Sequence, residues 1–114
     1  MIYAIDCGGM AREQFSGHLD MLLLAALRGG ALHGYAIIDH IRSTSADRFD
    51  YAEGTVYPAL HRLEHEGLLR SNWVDVEGRR RRAYALTPPG RKALDGRRED
   101  WERFAAGVQA VLNQ

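Results

Sequence analysis

A chain of 114 residues with 46% hydrophobic content is the size of one domain around one modest core, and leaves no room for a second. Fifteen basic residues balance fifteen acidic ones, so the zero net charge gives no global electrostatic argument for a polyanionic partner, although eight of the basic residues fall within residues 78–98 beside a single acid, Asp95. The lone Cys7 excludes an intrachain disulfide and a thiolate-rich zinc or iron-sulfur site within one subunit; with no signal-like pattern in the first ten residues, a cytoplasmic protein is expected.

Residues 1–15 show no clear periodicity and are interrupted by Gly8 and Gly9, which marks them as an N-terminal arm. From Ser16, a candidate N-cap, Leu19, Leu22, Leu23, Ala26 and Leu27 recur at helical spacing until Gly29 and Gly30, predicting helix one. Its apolar run, residues 21–27, is far short of the roughly 20 residues that span a bilayer, so no membrane partner is expected. A second short helix is predicted from Gly34 to about Thr44, with Ile37, Ile38 and Ile41 on one face and Asp39, His40 and Arg42 on another.

In the third helix, residues 54–67, Val56, Ala59, Leu60 and Leu63 form an i, i+3, i+4, i+7 stripe for the core. The opposite side carries Pro58, His61, Arg62 and His65, flanked by Thr55 and Tyr57. Pro58 is tolerated only in a first turn, so this helix should start near Gly54 or bend at the proline. Two strands follow, from Arg70 to Val76 and from Arg80 to Leu86, joined by a turn at Glu77 and Gly78. Thr87 as N-cap and Pro88 at the first position then open a helix reaching about Leu112. Along it Leu94, Trp101 and Val108 are spaced by seven, as are Phe104 and Val111, which is a heptad stripe suited to a second copy of the chain. The expected fold is mainly α with a small β-hairpin: a winged helix-turn-helix over residues 16–87 and a dimerisation helix over residues 88–114.

The run Gly54, Thr55, Val56, Tyr57, Pro58, Ala59, Leu60, with Arg62, Leu63, Glu64, Gly67 and Leu68, resembles the recognition-helix signature of the PadR family of transcriptional regulators. Gly17, Leu19, Asp20 and Leu23, then His33, Gly34 and Tyr35, resemble the same family upstream; Gly78, Arg81, Arg82, Tyr84, Leu86, Thr87 and Gly90 resemble its wing and the start of its last helix. The resemblance implies a homodimer that represses transcription from a pseudo-palindromic double-stranded DNA operator and is often released by a small aromatic or cationic effector. It also implies phosphate contacts at Gly34 and Tyr35 of helix two. Ala83 stands where the family commonly has an aromatic residue, and a single helix after the wing matches the family's short branch, so the phenolic effectors of the longer branch are not carried over.

The residues themselves fit such a role. A helix enters the major groove, where His61 and Arg62 are the candidates for base edges, with Thr55 and Tyr57 on phosphates at the helix N-terminus. Residues 48–70 hold three basic and four acidic side chains, so this helix supplies little counterion release and the wing arginines Arg79, Arg80, Arg81 and Arg82 must. Alternation places Arg80 and Arg82 on one face, whereas the resemblance points to Arg81 and Arg82. Leu94, Trp101, Phe104, Val108 and Val111 are assigned to the dimer interface, with Trp101 also placed to stack on a flat effector.

Two other readings compete. His61, Arg62, Leu63, Glu64, His65 is a literal H-x-x-E-H, the zinc-peptidase pattern, but the chain is short for a peptidase cleft and the regulator motif already accounts for Leu63 and Glu64. A milder version has a metal regulating through His40, His61 or His65. A winged helix used only to bind protein would need no basic wing. No enzyme activity, cofactor or resident metal is expected.

Overall fold

Residues 18–26 form α1 in the computed structural model, which describes residues 18–114; the arm over residues 1–15 and the expected cap Ser16 lie outside the described residues. Leu23, Leu24 and Leu27 are fully buried and Leu19 and Ala26 nearly so, because spacings of three and four residues keep them on one side of the helix. After a turn comes a strand not anticipated above, β1 (Leu32–His33), which pairs antiparallel with a later strand through Leu32↔Tyr84 and His33↔Ala83. Helix α2 (Gly34–Thr44) follows directly, capped by His33, whose Nδ1 accepts from the Ala36 N–H at 3.4 Å. It buries Ile37 and Ile41.

Helix α3 (Glu53–His65) buries all four residues of its predicted stripe. It starts one residue before Gly54, which leaves Pro58 as its sixth residue, past the first turn. The missing N–H of Pro58 leaves the Gly54 carbonyl without an intrahelical partner, and Gly54 is exposed, so water satisfies it at small cost. The helix closes with Leu68 N–H donating to the Leu63 carbonyl and Gly67 N–H to that of Glu64, both at 3.0 Å, which is the Schellman pair.

Strands β2 (Leu69–Val76) and β3 (Arg79–Leu86) form the wing hairpin, in register from Leu69↔Leu86 to Val76↔Arg79. Glu77 and Gly78 both have positive φ, 52° and 79°, as a type I′ two-residue turn requires. With β1 the sheet has three strands in the order β1-β3-β2 rather than the expected two. Leu69, Tyr84 and Leu86 share one face and join the α1, α2 and α3 side chains in a single core.

Helix α4 (Pro88–Leu112) begins where expected. The Thr87 hydroxyl accepts from Gly90 N–H at 3.0 Å and donates to the Gly67 carbonyl at 2.6 Å, tying the end of α3 to the start of α4. Gly90 is buried against the Leu68 carbonyl so closely that a Cβ would collide with backbone. Gly90→Ala is therefore expected to cost about 3 kcal/mol, the upper range for overpacking because a carbonyl cannot rotate aside, measurable as a fall in urea midpoint with unchanged slope. Leu94 is the last core residue of α4; Arg97 and Trp101 still meet α1, and beyond them the helix projects, giving the described residues extents of 54 × 28 × 28 Å. Among the described residues no helix is long and apolar enough to cross a membrane.

Candidate nucleic-acid interface

The outer side of α3 is a row of exposed residues, Thr55, Pro58, His61 and His65, opposite the buried stripe. The helix sets their direction: Pro58, His61 and His65 lie on the far side of the cylinder from Val56, Ala59, Leu60 and Leu63, with Thr55 at the flank. Two residues expected to touch phosphate do something else. Gly34 is buried because the Tyr57 ring and hydroxyl occupy the space a Cβ would need, so this pair forms the close contact between α2 and α3. Tyr35, one residue on, is half exposed at the start of α2 and stays available. The Glu53 carboxylate, as an acceptor in reach of the Tyr35 hydroxyl and as a nearby negative charge, raises its pKa.

Arg62 also departs from expectation. Its Nη1 and Nη2 donate to the two carboxylate oxygens of Asp20 at 3.0 and 2.5 Å, and Nη1 lies 3.6 Å from Glu66. Asp20 is only 4% exposed, and Arg97 of α4 approaches its second oxygen at 3.5 Å. The geometry is the fork-to-fork pairing that guanidinium makes with carboxylate. The guanidinium assigned above to a base edge is thus engaged by a buried carboxylate, holding α3 to α1 and, through the shared carboxylate, to α4. Sequence reasoning missed Asp20 as a structural residue, although a signal existed: Asp20, Leu23, Leu24 and Leu27 fall at i, i+3, i+4 and i+7, which puts an acid in the buried register. A charge there requires a partner.

The pleat divides the wing arginines. Arg80 and Arg82 share a face with Trp73, which stands directly opposite Arg82, and their guanidinium carbons lie 4.9 and 5.0 Å from its ring centroid. Arg81 faces the other way, 5.4 Å from the Tyr35 ring. Arg82 Nε also donates to Ser71 Oγ at 2.7 Å, and that hydroxyl donates to Glu64 of α3 at 2.6 Å. None of Arg79, Arg80, Arg81 and Arg82 forms an ion pair among the described residues.

On α4, Leu94 is buried within its own chain and so does not belong to an interface with another copy. Trp101, Phe104, Val108, Val111 and Leu112 are exposed, and Phe104, Gly107, Val108 and Val111 line an apolar groove. Trp101 meets His18 edge-on at 5.3 Å and Phe104 at 5.9 Å. The zinc-peptidase pattern does not assemble: His61 and His65 point outward, Glu64 is occupied by Ser71, and no group of three His, Cys, Asp or Glu side chains gathers at metal-binding distance among the described residues.

Residues 23–96 match the PadR-like family of transcriptional regulators. A transcriptional regulator of Mycobacterium tuberculosis, Rv3488, is 53% identical over 55 residues, covering 48% of this chain and 51% of that relative, so the aligned stretch spans about half the relative's length. Among solved structures, a transcriptional regulator from Clostridium thermocellum is 31% identical with a TM-score of 0.78, covering 86% of this chain and 96% of the other. A PadR family regulator from Eggerthella lenta, also 31% identical, has a TM-score of 0.72 and covers 98% and 96%. With the three helices, the hairpin wing and the long last helix in the same arrangement, and with transcriptional regulators rather than enzymes as its relatives, the chain belongs to the PadR-like family of transcriptional regulators.

Proposed function

We propose that the protein is a homodimeric repressor that binds a pseudo-palindromic DNA operator, with α3 in the major groove, and that a small aromatic or cationic effector releases it. The observation that carries this reading is the exposed row Thr55, Pro58, His61, His65 on a helix flanked by an arginine wing. With Arg62 engaged by Asp20, His61 becomes the foremost base reader and Thr55 the contact to phosphate at the helix start. The wing and Tyr35 supply the attraction to the backbone, since α3 and its flanks bring no net positive charge. The α4 stripe joins two copies and sets their recognition helices about 34 Å apart, one turn of DNA. An effector stacked on Trp101 would change the angle between the two long helices and hence that spacing.

The test is a binding titration against the DNA upstream of the protein's own coding sequence and against random duplex, across a salt series. Operator binding tighter than random by at least about 10³, with log K falling linearly with log salt, is expected. His61→Ala should cost about 1–3 kcal/mol on the operator and little on random DNA, whereas Arg81→Ala should weaken both and lower the salt slope by about one. Absence of binding to any genomic duplex at low salt would overturn the reading.

A further inference from the structure

Trp73 is 55% exposed on β2, the outer strand of the sheet, where no core residue covers it. An indole with more than half of its surface in water gains less from burial than a core side chain does, so its position calls for a further reason. Its neighbours are cations: Arg80 and, directly across the ladder, Arg82, whose guanidinium carbons lie over the ring at 4.9 and 5.0 Å from its centroid, respectively. Asp75, opposite Arg80 on the same face, does not close an ion pair with it among the described residues. Arg82 is fixed a second time through Ser71 to Glu64 of α3, which joins this face of the wing to the helix beside it.

We propose that Trp73 is a positioning residue for DNA binding, its ring holding Arg80 and Arg82 as a preformed pair of cations for duplex phosphates; this rests on the DNA-binding reading above. A guanidinium held over a ring keeps edge N–H groups for a phosphate, which engages them bidentately: Arg82 gives its Nε–H to Ser71 and retains its Nη groups, and Arg80 retains all of its own among the described residues. Without the ring, two like charges on one short strand repel each other, and each long side chain loses rotamer freedom when it meets DNA. The indole meets both costs before the DNA arrives. Arg81, on the opposite face against Tyr35, is outside this pair.

The test uses the full chain and a labelled random duplex followed by anisotropy over a salt series. Trp73→Ala is expected to weaken binding about fivefold with the salt slope unchanged, because both arginines still neutralise phosphates. Trp73→Phe should recover more than half of the loss on a logarithmic scale. Arg80→Ala with Arg82→Ala should lower the slope by about two, and adding Trp73→Ala to that pair should change nothing further. Trp73→Ala should keep cooperative thermal unfolding with only a small fall in midpoint, since the ring lies outside the core and only the contacts with the two arginines are lost. An equal loss from Trp73→Ala with and without the two arginines would overturn the proposal by placing the indole on DNA itself, as would no loss at all. If the unmodified protein fails to bind any duplex, the DNA-binding reading falls and takes this one with it; if it binds and Trp73→Ala binds equally well, only the positioning role falls.

Discussion

Arg62→Ala is expected to lower the stability of the fold by about 2–3 kcal/mol, and to weaken operator and random DNA by the same modest factor. The cause is the carboxylate left behind. Asp20 is buried, and its two strongest hydrogen bonds come from Arg62. Removing one partner of a fully buried pair typically costs about 3–5 kcal/mol, because the remaining charge has lost its compensation. Here the figure is smaller, since the Arg62 side chain is 41% exposed and Arg97 stays 3.5 Å from the second oxygen. In thermal melting the loss should appear as a shift of about 10 °C. A second variant identifies the mechanism: Asp20→Leu combined with Arg62→Ala should be no less stable than Arg62→Ala alone, because no buried charge is stranded. A normal melting temperature with a loss confined to the operator would return Arg62 to the role of base reader.

The same residue shows where sequence ceases to disclose structure. The stripes of α1, α2 and α3, the Thr87 cap and the Glu77 and Gly78 turn are local patterns, and local patterns set periodicity and chain reversal, so these elements lie where the sequence places them. Strand β1 has two residues and exists only because β3 offers it an open edge, which no local pattern encodes. The candidate site was legible as a surface but not residue by residue. Helical geometry indicates that His61, Arg62 and Tyr57 lie off the core stripe, yet it is silent on whether a carboxylate 42 residues away takes the guanidinium or a glycine on α2 receives the phenol ring. Leu94 follows the same logic: its heptad spacing from Trp101 suggests a shared seam, but the first two turns of α4 are packed into the core of its own domain. The alternation of the wing, by contrast, separates Arg80 and Arg82 from Arg81 as strand periodicity requires.

Placing glutamate at both Phe104 and Val108 is expected to convert the proposed dimer to a monomer, seen as a halved mass in sedimentation, and to lower operator affinity at least about 100-fold. These side chains are 52% and 41% exposed and line an apolar groove on a helix that has left its own core. Apolar area on that scale, repeated along heptad positions with Trp101 and Val111, is what a facing helix would bury. In the proposed dimer, two charges at the centre of such a seam would face their own copies across the two-fold axis, where they could not be solvated. Glutamate is a good helix former and the core ends at Leu94, so the variant should keep its helical signal and cooperative unfolding. The monomer still carries a complete α3 and wing. It should therefore retain weak binding to a half-site while losing the gain in effective concentration that a linked second half-site provides, and its salt slope should fall by about half. A variant that remains dimeric would place the joining surface elsewhere on the chain, and one that becomes monomeric with operator affinity intact would show that a single copy suffices for recognition.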